Sequence, residues 1–274
     1  MNPTTEDILD AGSLKLADEQ PRPHLGVSQV GHHCERAIWL GFRWVCKDTI
    51  QPTIARTFRL GDYIEEIVVH ALIAGGMNIT DRQKPVEFPE TRYHMRGHID
   101  GIITGVPELP KVPHLLEVKS MKHARFLKLK RQVLEKSNPT YYYQCQAYMH
   151  GLDLPWTLLV VMDKDTSEIH TIRFNYDSTA YDAVRYVANY IIDLDEPQIR
   201  LSEDPDHFEC KWCGKYHWCQ KNRGSVPDKN CRTCVSSQPQ EDGTWWCVRD
   251  NDHVTLTVEA QRKGCGDYRP IPMD

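Results

Sequence analysis

Nowhere in these 274 residues does an apolar run approach the length of about 20 residues that a bilayer-spanning helix needs, so a membrane protein is not expected. There is no excess of basic residues either. Lys and Arg total 33 against 38 Asp and Glu, a formal charge of -5, which excludes a protein that coats nucleic acid by bulk electrostatics. It does not exclude an enzyme that gathers its basic groups into one groove. Internal repeats and low-complexity tracts are missing, which excludes solenoids and charged tails. Met1 to Pro23 contain no basic start, apolar stretch or small-residue cleavage site. No secretory signal is therefore expected, and the cytoplasm is the expected location.

The cysteines are the first positive signal. Ten of them in a chain without a signal peptide point to metal binding, because disulfides rarely persist in a reducing compartment. Cys46 and Cys145 stand alone among apolar and aromatic neighbours and are expected to be buried thiols. Of the other eight, Cys34 lies far upstream and the remaining seven form two sets. Cys210-x2-Cys213-x5-Cys219 supplies three clustered ligands and leaves one position open. Cys231-x2-Cys234-x12-Cys247-x17-Cys265 supplies four and reads as a zinc ribbon on a short polar tail with Trp245 and Trp246. Such a tail buries too little apolar surface to fold without help.

Residues 1–25 are polar with little periodicity and read as a flexible arm. From Ser28 a capped helix is expected through Ala37, Ile38 and Trp39, with Cys34 inside it. A second helix carries Phe58, Leu60, Ile64, Ile67, Val68 and Leu72 at helical spacing and ends at Gly75 and Gly76. Strand-like segments follow at 78–88, 93–104 and 114–119. Helical patterns at 121–134 and 139–149, strands at 157–163 and 168–174, and a long amphipathic helix at 178–194 complete the pattern. The order implies an α/β domain with a mixed sheet. A main domain at 26–222 and a cysteine-rich module at 223–274 are the expected divisions.

The most informative stretch is Arg96-Gly97-His98-Ile99-Asp100-Gly101, followed 17 residues after Asp100 by the glutamate of Leu116-Glu117-Val118-Lys119. Side chains alternate along a strand, so Glu117 and Lys119 share a face that Asp100 can reach from the adjoining strand. Two carboxylates and the Val118 carbonyl are hard oxygen donors suited to Mg²⁺ or Mn²⁺. A lysine beside such an ion can orient water for metal-assisted phosphodiester hydrolysis. Alone, Glu-x-Lys also fits an ordinary solvated strand end.

Helical Gly61-x3-Glu65 lies upstream and Gln144-x3-Tyr148 downstream. This ordered set resembles the PD-(D/E)XK nucleases, in particular the RecB-like branch with its CRISPR-associated and phage exonucleases. The resemblance covers Gly26 to Cys219. It implies a restriction-endonuclease-like core, Asp100, Glu117 and Lys119 as catalytic residues, and Glu65, Asp100, Glu117 and Val118 as metal ligands. Glu65 stands where many relatives have histidine. It also implies that Gln144 and Tyr148 contact DNA, for which helix packing is the alternative. Lys122 and Arg125, with His123, Lys128, Lys130 and Arg131, form a basic run that either tracks phosphates or is a solvated helix face. Tyr141 to Tyr143 either stack on unpaired bases or pack. In cluster-bearing members one upstream cysteine joins three downstream, which implies that Cys34, Cys210, Cys213 and Cys219 hold a 4Fe-4S cluster. Zinc, with His33 or His217 as a substitute ligand, is the alternative.

The expected activity is a Mg²⁺- or Mn²⁺-dependent DNA exonuclease in recombination, repair or phage DNA processing, in a bacterial or phage-infected cell. Endonuclease or CRISPR-type processing is the alternative, and a silent DNA- or protein-binding adaptor the third class. DNA is the expected partner, with recombination or processing proteins beside it.

Overall fold

The computed structural model describes residues 2–17, 20–48, 50–249 and 253–273. The chain divides by its contacts into two compact units, Met1–Leu16, Pro52–Glu87 and Arg96–Val184 in one, and Ala17–Gln51, Phe88–Met95 and Arg185–Asp274 in the other.

The first unit is built on a mixed sheet flanked by helices. Its main elements are α1 (Thr5–Lys15), α2 (Pro52–Ala74), β1 (Asn78–Thr80), β2 (Pro85–Glu87), β3 (Met95–His98), β4 (Gly101–Thr104), β5 (His114–Met121), α3 (His123–Arg131), α4 (Pro139–Leu152), β6 (Trp156–Asp163), β7 (Ile169–Asn175) and the first turns of α5 (Ser178–Asp193). The five-stranded sheet runs β1-β4-β5-β6-β7. Only β5 and β6 are parallel, as their helical crossover requires. Strand β5 is buried from His114 to Val118 and again at Met121, although half of its residues, His114, Glu117, Lys119 and Ser120, are polar.

Alternation along β5 and β6 divides the core between the two faces. Leu116, Val118, Leu158 and Val160 pack against Ile64, Val68 and Val69 of α2. Met121, Leu159 and Val161 pack on the other face against Phe126, Leu129 and Leu134, with Tyr141 and Tyr142 beside them. Full burial of each aliphatic side chain contributes about 1.5–3 kcal/mol.

Several expectations are corrected. The arm contains a helix, α1, because Thr4 and Asp7 form a capping box: the Asp7 N–H donates to Thr4 Oγ1 at 3.1 Å and the Thr4 N–H to Asp7 Oδ2 at 2.8 Å. It packs on α2, held in part by Arg56 and Asp10 at 2.7 Å, yet buries no side chain fully. Along α2, Phe58, Leu60 and Ile67 are exposed, whereas Ile64 and Val68 supply the buried stripe. The strands expected at 78–88 and 93–104 each break in two. Asp81 and Gln83 take left-handed conformations between β1 and β2, and β3 pairs with β2 instead of entering the main sheet.

In the second unit, the helix expected from Ser28 is interrupted at Gly31, and a fresh helix covers Glu35–Phe42 with Cys34 as its extended N-cap residue. Strands Ser237–Pro239, Trp245–Cys247 and Val254–Leu256 form a small antiparallel sheet. Arg232 ties that sheet to the earlier segments. Its guanidinium lies 4.0 Å from the Trp44 ring and 4.6 Å from Trp245, and it donates to the carbonyls of Phe42 and Pro23 at 3.0 and 2.7 Å. Both cysteine sets belong to this unit. Among the described residues, no helix is long and apolar enough to cross a membrane.

Candidate functional site

Strand β4 pairs with β5 only as far as Gly101 opposite Leu116. Beyond that point β5 has lost its neighbour on this side, so its backbone needs another partner. Asp100, at the entry to β4, supplies it: Oδ2 accepts the Val118 N–H at 2.7 Å. Gly101 permits the bend, because a Cβ there would lie 2.9 Å from the Ile79 side chain and 3.2 Å from the Thr80 carbonyl. A carboxylate is thereby fixed beside the middle of β5, where Glu117 and Lys119 stand.

Glu117 is 1% exposed. Its Oε1 accepts from Gln144 Nε2 at 2.8 Å and pairs with the Lys119 ammonium. Its Oε2 is buried with no partner. Burial, and then the Glu117 charge, push the Asp100 carboxyl up to about 7, against the opposing pull of Lys119 and the Val118 N–H. Burial alone would lower Lys119, but Glu117 and Asp100 outweigh it and hold the ammonium well above its ordinary range. Two carboxylates crowded in a dry site around one ammonium still lack positive charge. A buried carboxylate oxygen without a donor costs free energy unless a cation reaches it. Asp100 and Glu117 therefore fit a divalent cation.

Glu65 comes from α2, the face opposite Gln144. Burial and then Asp100 raise its carboxyl, while Gln83 Nε2 donates to it at 3.0 Å and Arg82 lies 3.5 Å away. Arg82 and Gln83 were not legible as site residues, since a polar turn carries no motif. Gly61 has open space around it, so nothing in its packing demands a glycine.

Gln144 and Tyr148 are buried, at 5% and 3% exposure. Gln144 holds Glu117, and Tyr148 covers Gly97, where a Cβ would lie 2.3 Å from the tyrosine hydroxyl. That close approach accounts for the glycine in Arg-Gly-His. Tyr141 is half-buried, with its ring centroid 5.4 Å from Lys119 Nζ, and Tyr142 packs on Phe174. Packing describes both. Lys122, Arg125, Lys128 and Arg131 are exposed, and Lys130 pairs with Glu168.

In the second unit, Cys34, Cys210, Cys213 and Cys219 line one concavity of about 380 Å³, part of it open to solvent, together with His33 and Lys215. His217 is not in its lining. Burial raises the Cys34 thiol, as do Cys219 and Cys210, against the nearby backbone N–H groups of Ala37 and Arg36. Burial pushes Cys213 to about 11, with Cys34 and Cys219 adding to it. Gln220 Nε2 donates to Cys210 Sγ at 3.6 Å. Cys231, Cys234, Cys247 and Cys265 line a second concavity of about 260 Å³. Burial, then the other three thiols, push Cys231 to about 11. Each set thus gathers four thiols around one concavity. Among the described residues, no three His, Cys, Asp or Glu side chains converge closely enough to hold a single ion. Of the two lone cysteines, Cys145 is buried as expected and Cys46 is half-buried.

No family model matches the chain, and no curated protein matches it significantly. Among solved structures, SSO0001 is similar at 15% identity and a TM-score of 0.48, over 78% of this chain and 95% of that one. The alkaline exonuclease LHK-Exo of Laribacter hongkongensis is similar at 15% identity and a TM-score of 0.45, over 68% of this chain and 90% of its own. A phage-related exonuclease from Haemophilus somnus 129PT is similar at 16% identity and a TM-score of 0.35, over 47% of this chain and 67% of its own.

Proposed function

We propose that the chain is a metal-dependent DNA nuclease of the PD-(D/E)XK type that hydrolyses phosphodiester bonds at DNA ends, with a role in recombination, repair or phage DNA processing. The observation that carries it is the union of Asp100, Glu117 and Lys119 at the open side of β5, with Glu117 Oε2 buried and unpartnered. Asp100 and Glu117 would hold Mg²⁺ or Mn²⁺, with Glu65 and the Val118 carbonyl as further donors. When bound, the ion supplies Lewis-acid stabilisation of charge on the phosphate and eases deprotonation of water. Lys119 keeps its proton beside two carboxylates, so it orients water and offsets negative charge on the phosphate. Gln144 fixes the Glu117 carboxylate, and the exposed Lys122 and Arg125 meet the DNA backbone.

The cysteine sets are read as structural. Cys34, Cys210, Cys213 and Cys219 would ligate a 4Fe-4S cluster or zinc, and Cys231, Cys234, Cys247 and Cys265 zinc. Hydrolysis transfers no electrons, so either metal acts by closing the fold.

The test uses protein purified without oxygen and end-labelled linear DNA, single- and double-stranded, beside closed circles, each with Mg²⁺, Mn²⁺ or chelator. Metal-dependent loss from the ends, abolished in Asp100→Ala and Lys119→Ala proteins that remain folded, supports the reading. Cutting of closed circles as fast as linear strands would replace exonuclease by endonuclease. Equal inertness of wild type and variants on every substrate would remove the active-site reading.

A further inference from the structure

Strands β5 and β6 end together, Met121 opposite Asp163. At this end the chain turns into α3, whose first residue is His123. Its Nδ1 lies 2.6 Å from Oδ2 of Asp163, a carboxylate fully removed from solvent. Asp163 is firmly fixed, because it also accepts from the Asp165 N–H at 3.0 Å and the Thr166 hydroxyl at 2.8 Å. Asp165 in turn accepts the His123 N–H at 3.0 Å, so both acids near the imidazole are turned onto donors. The backbone N–H of Lys164 donates to the Met121 carbonyl at 2.8 Å. Burial, and then the charge of Lys122, lower the Lys164 ammonium, while Asp165 raises it.

A clamp for the β6–β7 turn is the plain alternative. Asp163 needs no histidine for that, since Asp165 and Thr166 already bond it. The imidazole side chain is 44% exposed, and among the described residues nothing bonds its Nε2. A carboxylate on Nδ1 fixes the ring so that Nε2 faces outward. In its charged form the ring is balanced on one side by Asp163 and offers an N–H on the other. Lys122 precedes it in the chain, and Lys164 follows Asp163. His123 is four residues beyond Lys119, about 13 Å along an extended strand, or roughly four nucleotides of B-form rise.

We infer that His123, aimed by Asp163, binds a backbone phosphate of the DNA strand a few nucleotides from the bond that is cut, and so sets the register of the strand on the site. This rests on the nuclease reading. His123 is then a positioning residue, and Asp163 acts through it.

The experiment measures anisotropy of a labelled single-stranded oligonucleotide with chelator present, at about pH 6. Steady-state cleavage with Mn²⁺ runs beside it. His123→Ala should stay folded with a melting temperature lowered by the lost bond to Asp163, weaken binding about tenfold, raise KM by a similar factor and leave kcat within about twofold. The slope of log affinity against log salt should fall by about 0.7, one phosphate contact on a single strand. His123→Arg should restore affinity and slope, and Asp163→Asn should give an intermediate loss. Wild-type affinity and salt slope in His123→Ala, or a loss confined to kcat, overturns the inference while the nuclease reading stands. Wild-type protein that neither binds nor cuts any DNA overturns the nuclease reading, and this inference with it.

Discussion

Replacing Gln144 by alanine separates a residue that touches DNA from one that holds a catalytic carboxylate. Glu117 is 1% exposed, and its Oε1 has two partners, Lys119 and Gln144, the latter at 2.8 Å. Removal of the amide leaves a buried charge short of a donor, and hydrogen bonds to charged groups are worth about 1.5–3 kcal/mol. For a domain of this size each kcal/mol moves the melting temperature by about 2–4 °C, so a fall of roughly 3–12 °C is expected. If the displaced carboxylate costs the transition state the same amount, kcat falls on the order of 10- to 100-fold. KM for DNA should change little, because the amide is 5% exposed and spent on Glu117. Thermal unfolding and steady-state cleavage of end-labelled DNA measure both effects. An unchanged melting temperature with a raised KM and a wild-type kcat would refute the reasoning and return Gln144 to the DNA surface.

Other predictions follow from the same geometry. Gly97→Ala drives a methyl to 2.3 Å from the Tyr148 hydroxyl and should cost about 1–3 kcal/mol in chemical denaturation; adding Tyr148→Phe removes that oxygen and should recover part of the loss, and no recovery would show that the hydroxyl is not what meets residue 97. Burial alone would raise Asp163, but bonds from His123, the Asp165 N–H and Thr166 hold it down to about 2 against an ordinary 3.8. A depressed carboxyl contributes stability that is complete above its unfolded value and is lost as pH falls through the folded one. Melting temperature should therefore drop between about pH 4 and pH 2, and less steeply in Asp163→Asn, with equal slopes counting against the idea. Cys213→Ser should lose the metal of the first cysteine set and unfold at a lower temperature, whereas Asp100→Ala should retain it, as elemental analysis of anaerobically purified protein would report. Retention of full metal content by Cys213→Ser would remove that thiol from the ligand set.

By itself the sequence determined the long elements and the catalytic candidates. Strands β5 and β6, helices α2 and α4, and the alternation that sets Glu117 and Lys119 on one face follow from period and composition, because apolar residues recur at a strand or helix repeat along them. Only the tertiary structure decided what the polar side chains hold. Gln144 and Tyr148 stand one turn apart on α4, but whether they face a DNA strand or the protein depends on β2 and β3, which bring Gly97 beneath the tyrosine. Asp100 bonds the Val118 N–H because β4 stops pairing at Gly101, a break in register that no motif encodes. Helix α1 depends on a local capping box in a stretch without apolar periodicity, and the pairing of His123 with Asp163 on two strands that happen to end side by side. Local propensity and periodicity act within a few residues and are written in order along the chain. Contacts between residues such as 97 and 148, or 123 and 163, arise only when packing brings distant segments together, which is why their chemistry appears with the fold and not before it.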